Sequence, residues 1–391
     1  MNIKEIDNQY IAHTYKRFPV EIVSGKGALI KDNEGKEYID MGAGVAVNTF
    51  GMADEEWVAA VTEQLGKFQH TSNLYYAEPC AKLAKTLCER TGMKKVFFSN
   101  SGAEANECAI KAAREYGVTK KGEEYYNIIT LVNSFHGRSL ATLAARGQAP
   151  YHTHFGPMTP GFIYTPANDC EALEKAVNEN KVCAIMFELV QGEGGVHALS
   201  PEFVAKIAEL AEKNDILMID DEVQTGNGRT GKLYAYMHFG IRPDIISTAK
   251  GLGAGLPIGA TMFGEKVEDI YQPGMHGSTF GGNPVCAAGA NNVLSRLTDE
   301  FLADVTAKSE YIVKELTGAK GIKNISGMGL MIGFDTEKEA ADVVTAAREK
   351  GVLLLTAKTK IRLIPPLAIT FEQIKKQLKL LRRYAHNETF A

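Results

Sequence analysis

From residue 95 onward, short apolar runs alternate with longer amphipathic ones. The apolar runs are VFFS (96–99), IITLV (128–132), AIMFELV (184–190), ILMID (216–220), IIST (245–248) and GATMF (259–263). Short runs rich in β-branched residues and bounded by polar or glycine clusters read as strands. Between most of them lie segments such as PEFVAKIAELAEKN, with apolar positions three or four apart, which read as helices. This alternation predicts a largely parallel sheet covered on both faces. In such sheets the chemistry gathers at the carboxyl ends of the strands.

The two ends of the chain are patterned differently. VEIVSGKGALIKDNEGKEYIDMGAG reads as short strands, with a hairpin near Asp32 to Gly35. Trp57, Val61 and Leu65 then fall at helical spacing, as do Leu83, Ala84 and Leu87. After residue 290, VLSRLTDEFLADVTAKSEYIVKEL is helical. Strands GLMIGFD and VLLLTAK follow, with a helix from Glu337 to Lys350 between them and a last helix from Phe371. The expected organisation is a large α/β domain over 50–285. A smaller α+β domain over 286–391 packs with the N-terminal segment 1–49.

Composition narrows the field. With 391 residues, 45% of them hydrophobic, the chain can bury a sizeable core. A net charge of -4 argues against nucleic acid or an anionic membrane as partner, so any anion site must be built locally. No apolar run is long enough to span a membrane, and MNIKEIDNQYIAHTYKRFP lacks a signal core. The six cysteines form no CxxC pair and read as reduced thiols. The expectation is a cytoplasmic protein.

The chemistry-bearing residues cluster after strands. VFFSNSGAEANE leads from a strand through Ser101, Gly102 and Ala103 into a helix beginning near Glu104. Free N–H groups and the positive end of a helix dipole there could hold a phosphate; a capped helix start explains the same residues. LVNSFHGRSLATLAA offers Phe135 to stack on a flat heterocycle and Arg138 to clamp a carboxylate, with His136 a general base or a structural loop residue. FELVQGEGGVHALS places Glu188, Gln191 and Glu193 among glycines, as a gate or as plain turn chemistry. LMIDDEVQTGNGRTG closes an apolar strand with Asp220, Asp221 and Glu222. Acids there need a cationic partner, either a magnesium ion or a protonated pyridine.

PDIISTAKGLGAGLPIGATMFG decides between these. Lys250 follows a strand directly and precedes a glycine-rich turn. Partial burial would depress its pKa and suit it to attack an aldehyde. An acid for a pyridinium nitrogen, together with a lysine for an aldehyde, is what a pyridoxal enzyme requires. GMHGSTFGGNPVCAAG adds Ser278 and Thr279 in a glycine-lined loop.

These stretches, with IRLIPPL and HTSNLYY, make the chain resemble the class III (ω-amino-acid) aminotransferases of fold type I almost end to end, and most of all their acetylornithine branch. One departure is GMADEEW after Phe50, where the family has a His-Pro element. The resemblance implies pyridoxal 5'-phosphate as cofactor, no metal, and a homodimer. Lys250 would carry the cofactor and shuttle the proton, and Asp221 would pair with the pyridine nitrogen. Gln224 would reach the phenolic oxygen, Phe135 would stack on the ring, and Ser101, Gly102 and Ala103 would hold the phosphate. Glu222 and Val223 complete the implied cofactor set, with Thr279 from the neighbouring subunit. Arg138 and Ser278 would contact N2-acetylornithine. Arg362 would take the α-carboxylate of glutamate, gated by Glu193. The implied acceptor is 2-oxoglutarate. Rival donors are succinylornithine, ornithine, 4-aminobutyrate or a lysine derivative; a related aminomutase is the rival from another class.

Overall fold

The computed structural model describes residues 2–385. The N-terminal segment forms an antiparallel meander of β1 (Ile22–Lys26), β2 (Leu29–Asp32) and β3 (Glu37–Asp40). The expected hairpin is there. Asp32 Oδ1 accepts the N–H groups of Glu34 and Lys36 at 3.0 and 2.9 Å, and Gly35 takes a φ of 82°.

The middle of the chain contributes β4 (Lys95–Ser99), β5 (Asn127–Leu131), β6 (Phe162–Thr165) and β7 (Val182–Phe187). A two-residue ribbon follows, β8 (Val190–Gln191) with β9 (His197–Ala198), and then β10 (Leu217–Asp221), β11 (Ile245–Thr248) and β12 (Gly259–Phe263). All but the ribbon join one sheet in the order β4-β12-β11-β10-β7-β5-β6. Neighbours among β6, β5, β7, β10 and β11 pair parallel, whereas β12 runs against both β11 and β4. The connection from β11 to β12 holds only a short 3-10 turn, too little for a parallel crossover, so the chain doubles back.

Alternation along β7 serves both faces. Ile185 and Phe187 pack with Phe203 and Ile207 of the helix Pro201–Asn214. Ala184 and Met186 pack with Ala109 and Ala113 of the helix Gly102–Lys121. The sheet is therefore covered on both sides, as its continuous apolar strands require.

Several features differ from the sequence expectation. Strand β6 was not anticipated. It is a four-residue edge strand, only partly buried, so its apolar signal is weak. AIMFELV ends as a strand at Phe187, and Val190 starts the ribbon. VLLLTAK is two strands, β15 (Val352–Leu353) and β16 (Leu355–Ala357), in different sheets. β15 pairs parallel with β3, and β16 completes a sheet of β13 (Ile322–Met328), β14 (Met331–Thr336) and β17 (Lys360–Leu363). Leu354 between them is buried, so no polar residue marks the switch. The helix expected over 337–350 spans Ala340–Glu349. At the departure GMADEEW, Asp54 caps the helix Glu55–Leu65, accepting the N–H of Trp57 at 3.0 Å. No described helix is long and apolar enough to cross a membrane, and all six cysteines are free thiols.

Candidate active site

A cleft of about 430 Å³ opens where β10 and β11 end and the helix Gly102–Lys121 begins. It brings together Gly102, Ala103, Phe135, Asp221, Gln224 and Lys250, which lie far apart in sequence.

Asp221 ends β10 almost wholly buried, and every contact around it fixes its direction. Its Oδ2 accepts from Asn106 Nδ2 and from His136 Nδ1, each at 2.7 Å, and its Oδ1 accepts the N–H of Val223 at 3.1 Å. Two donors converging on one buried oxygen fix the direction of that carboxylate. His136 is therefore an orienting residue. Asn106 was not singled out in the sequence, yet it ties three elements together. Its Nδ2 also donates to the His136 carbonyl at 2.8 Å, and its Oδ1 accepts from Ser247 Oγ of β11 at 2.5 Å. The signal was one amide within the Ala-rich, inward stripe of its helix.

Glu188 lies behind this group, its Oε1 accepting the N–H of Phe135 at 2.9 Å. Burial, with Asp221 close by, holds its carboxyl well above the usual range. His136, Glu188 and Asp221 offer ligand atoms within 4.8 Å of one another. The Asp221 oxygens are already engaged by donors, which speaks against a cation in their midst.

Lys250 sits just past β11 with φ at 43°, a backbone region that side chains other than glycine seldom adopt. Its neighbours over-determine that turn. Thr49 Oγ1 donates to the Gly251 carbonyl at 2.8 Å, and Asn227 Nδ2 donates to the Ala249 carbonyl at 3.2 Å. Burial lowers the Lys250 pKa from its ordinary value, opposed by the charges of Glu193 and Asp221. A lowered pKa makes more of the amine available as free base, the form that attacks a carbonyl.

The helix Gly102–Lys121 starts at the cleft wall. Ser101 Oγ caps it by accepting the N–H of Glu104 at 3.2 Å, and the Ser101 carbonyl takes the N–H of Ala105. The N–H groups of Gly102 and Ala103 have no partner among the described residues. Both residues line the cleft, and unpaired donors at a helix N-terminus are suited to receive an anion. A Cβ on Gly102 would come within 2.6 Å of Val223 Cγ1, so only glycine lets the loop approach.

Arg362, on β17, is buried behind the cleft lining, where it meets Glu193 and Gln224. Its Nη1 donates to Glu193 Oε1 at 2.5 Å and to Gln224 Oε1 at 3.3 Å. Burial raises the Glu193 carboxyl, but the Arg362 charge and hydrogen bond outweigh it, and the net pKa is lowered. Arg138 is exposed at the mouth, its guanidinium 5.9 Å from the centre of the Phe135 ring.

Two expected residues, Glu222 and Ser278, lie elsewhere, and Thr279, expected to serve the neighbouring subunit, stands outside its own cleft. Glu222 does not line the cleft, because strand alternation sends it, with Asp220, to the face opposite Asp221. Its carboxylate accepts from Thr225 Oγ1 at 2.5 Å and from the Tyr236 N–H at 2.9 Å. Burial lifts its pKa to about 7. Ser278 Oγ accepts from Asn100 Nδ2 at 3.1 Å, on a loop that borders a separate groove of about 490 Å³. Thr279 is exposed on the same loop. Neither hydroxyl lines the cleft of its own chain.

Residues 10–384 match the family model described as aminotransferase class III. An acetylornithine aminotransferase of Haemophilus ducreyi is 50% identical over 97% of both chains. One from Caldanaerobacter subterraneus subsp. tengcongensis is 46% identical over 96% of this chain and 97% of that one. Among solved structures, the Toxoplasma gondii ornithine aminotransferase superposes with a TM-score of 0.92 at 34% identity, covering 97% of this chain and 93% of that one. The Stenotrophomonas maltophilia N-acetylornithine aminotransferase gives 0.84 at 34% identity over 97% of both. Backbone likeness thus does not rank one donor above the other.

Proposed function

The chain belongs to the class III aminotransferases, and from that premise we propose that it moves the ω-amino group of N2-acetylornithine to 2-oxoglutarate, a step of arginine biosynthesis. It is a pyridoxal-phosphate-dependent transaminase. The products are N-acetylglutamate 5-semialdehyde and glutamate.

The residues present fit the cofactor. The free N–H groups of Gly102 and Ala103 suit its phosphate, Phe135 and Val223 its ring, Asp221 its nitrogen, Gln224 its phenolic oxygen and Lys250 its aldehyde. When bound, pyridoxal phosphate supplies an aldehyde that captures amines and a ring that takes up electrons. The rest is done by the chain. Lys250 would hold the cofactor through its aldehyde, and its amine would take the proton from the amine-bearing carbon. Asp221, fixed by Asn106 and His136, would face the ring nitrogen and favour its protonated form. Phe135 and Val223 exclude water from the ring faces.

The observation that carries the choice of an ω-amine donor is the closed Arg362–Glu193 pair. Acetylornithine brings its side-chain amine to Lys250, so its α-carboxylate reaches toward Arg138 at the mouth. Glutamate brings its α-amine, and its α-carboxylate then needs Arg362. With Glu193 on Arg362 the first substrate is not drawn into the wrong pose; with Glu193 swung away the second is held bidentately. A panel of acetylornithine, succinylornithine, ornithine and 4-aminobutyrate with 2-oxoglutarate tests the donor. Acetylornithine is expected to give the highest kcat/KM, and a better rate with ornithine or 4-aminobutyrate overturns the assignment.

The pair makes a sharper prediction. Arg362→Lys keeps the charge but not the planar fork. It is expected to slow the glutamate half-reaction about 10- to 100-fold, the worth of a charged hydrogen bond, and to spare the acetylornithine half. Glu193→Ala should do the reverse and admit α-amines. Single-turnover absorbance traces of each half-reaction separate the two, and equal losses in both halves would sink the switch.

We assign the enzyme to the cytoplasm, where free thiols persist, and to a homodimer. Leu74, Tyr75, Tyr76 and Phe280 are exposed around the loop that carries Ser278 and Thr279. A second copy would cover this apolar surface and bring those hydroxyls to the neighbouring cleft. A fully active monomer in sedimentation would remove that role.

A further inference from the structure

Phe135 lines the cleft, and a buried charge lies against it. Arg146 follows the helix Leu140–Ala145 and is 4% exposed. Its guanidinium carbon is 4.4 Å from the centre of the Phe135 ring and 3.5 Å from that of Tyr151. Nε and Nη2 donate to Gln148 Oε1 at 3.1 and 2.7 Å, and Gln148 Nε2 donates to the Asn133 carbonyl at 3.0 Å. Among the described residues no carboxylate forms an ion pair with Arg146; Glu193 acts on it only through space. Burial pulls its pKa down, but a guanidinium keeps its proton in proteins.

This arrangement is costly if it serves only the fold. A buried guanidinium without a counter-ion gives up its hydration for one amide oxygen, the Tyr151 side chain and the Phe135 ring face. An apolar residue of similar volume would fill the same space without that loss. The charge gains a use only through what it touches, and it touches the aromatic wall of the cleft. Phe135 is held at its backbone by Glu188 and at its ring by Arg146. Arg138 is farther from the ring and exposed, so it cannot fix the plane in the same way.

We propose that Arg146 is a positioning residue of the cofactor site. Packed between Tyr151 and Phe135, it sets the plane of the Phe135 ring and gives that wall a positive charge suited to an anionic, flat ligand. The proposal rests on the pyridoxal phosphate reading. It differs from the roles of Lys250 and Asp221 because Arg146 acts through Phe135.

The test is a double-mutant cycle on the holoenzyme and on apoprotein rebinding added pyridoxal phosphate. Arg146→Met removes the charge and keeps the stem. It is expected to weaken cofactor binding about tenfold and to reduce the visible circular dichroism of the bound cofactor, without lowering the unfolding temperature of the apoprotein. Arg146→Lys should recover the affinity to within about threefold but not the dichroism, since an ammonium cannot stack as a plane. In a Phe135→Ala background, Arg146→Met should change binding less than twofold, because the route is gone. Unchanged affinity and dichroism in Arg146→Met, or an equal loss with and without Phe135, overturns the proposal while wild type still binds cofactor. Wild type that takes up no pyridoxal phosphate overturns the functional reading and this inference with it.

Discussion

Lys250→Ala is expected to leave no cofactor on the chain after borohydride reduction and dialysis. It should also cut turnover by about 10⁴-fold or more. Two losses combine in that figure. The amine that holds the cofactor disappears, and so does the base that moves the proton, a role worth roughly 10²–10⁴-fold by itself. The backbone at this position has a φ of 43°, which alanine tolerates no better than lysine, so the turn gains no relief from the change. Reduction with labelled borohydride followed by peptide mapping reads the attachment directly. Label retained by the mutant would place the cofactor on another lysine.

The second large effect is expected at Asp221. Asp221→Ala should cost catalysis about 3 kcal/mol, roughly 150-fold, on the scale of removing a preorganised charge partner. It should also loosen cofactor binding. Asn106 and His136 both lose their shared acceptor, which leaves buried donors unpaired. Asp220 cannot take over, because it projects from the other face of the strand, where burial, and then Glu222 beside it, keep its carboxyl raised. Steady-state kinetics with cofactor in excess separates the catalytic loss from the binding loss. Near-normal turnover under those conditions would remove Asp221 from the mechanism.

The placement of Lys250 and Asp221 was legible in the sequence because each ends an apolar run, and parallel sheets present such ends together. The direction of β12 was not legible. It depends on a connection too short to cross over, and the apolar pattern of GATMF is the same in either direction. The side of Glu222 follows from counting by twos from Asp221, a rule that resemblance to a motif does not apply. Asn106 was hidden for another reason. A polar residue in a helix reads as surface until the burial of its neighbours Ala105 and Ala109 shows which face it shares. The hydroxyls of Ser278 and Thr279 lie outside their own cleft; the resemblance implies this for Thr279, whereas nothing in the pattern of a single chain marks it for Ser278.

The pairing of β15 with β3 sets the order in which the molecule can be made. Ile39 meets Val352, so the N-terminal meander lacks its fourth strand until residue 352 has left the ribosome. At about 5–20 residues per second, that is an interval of roughly 15–60 s. Through that time the edge of β3 that β15 will cover stays open, and an open edge is a template on which another nascent copy can pair. Yield in the cell should therefore depend on how crowded the translating message is, even where the finished enzyme is stable.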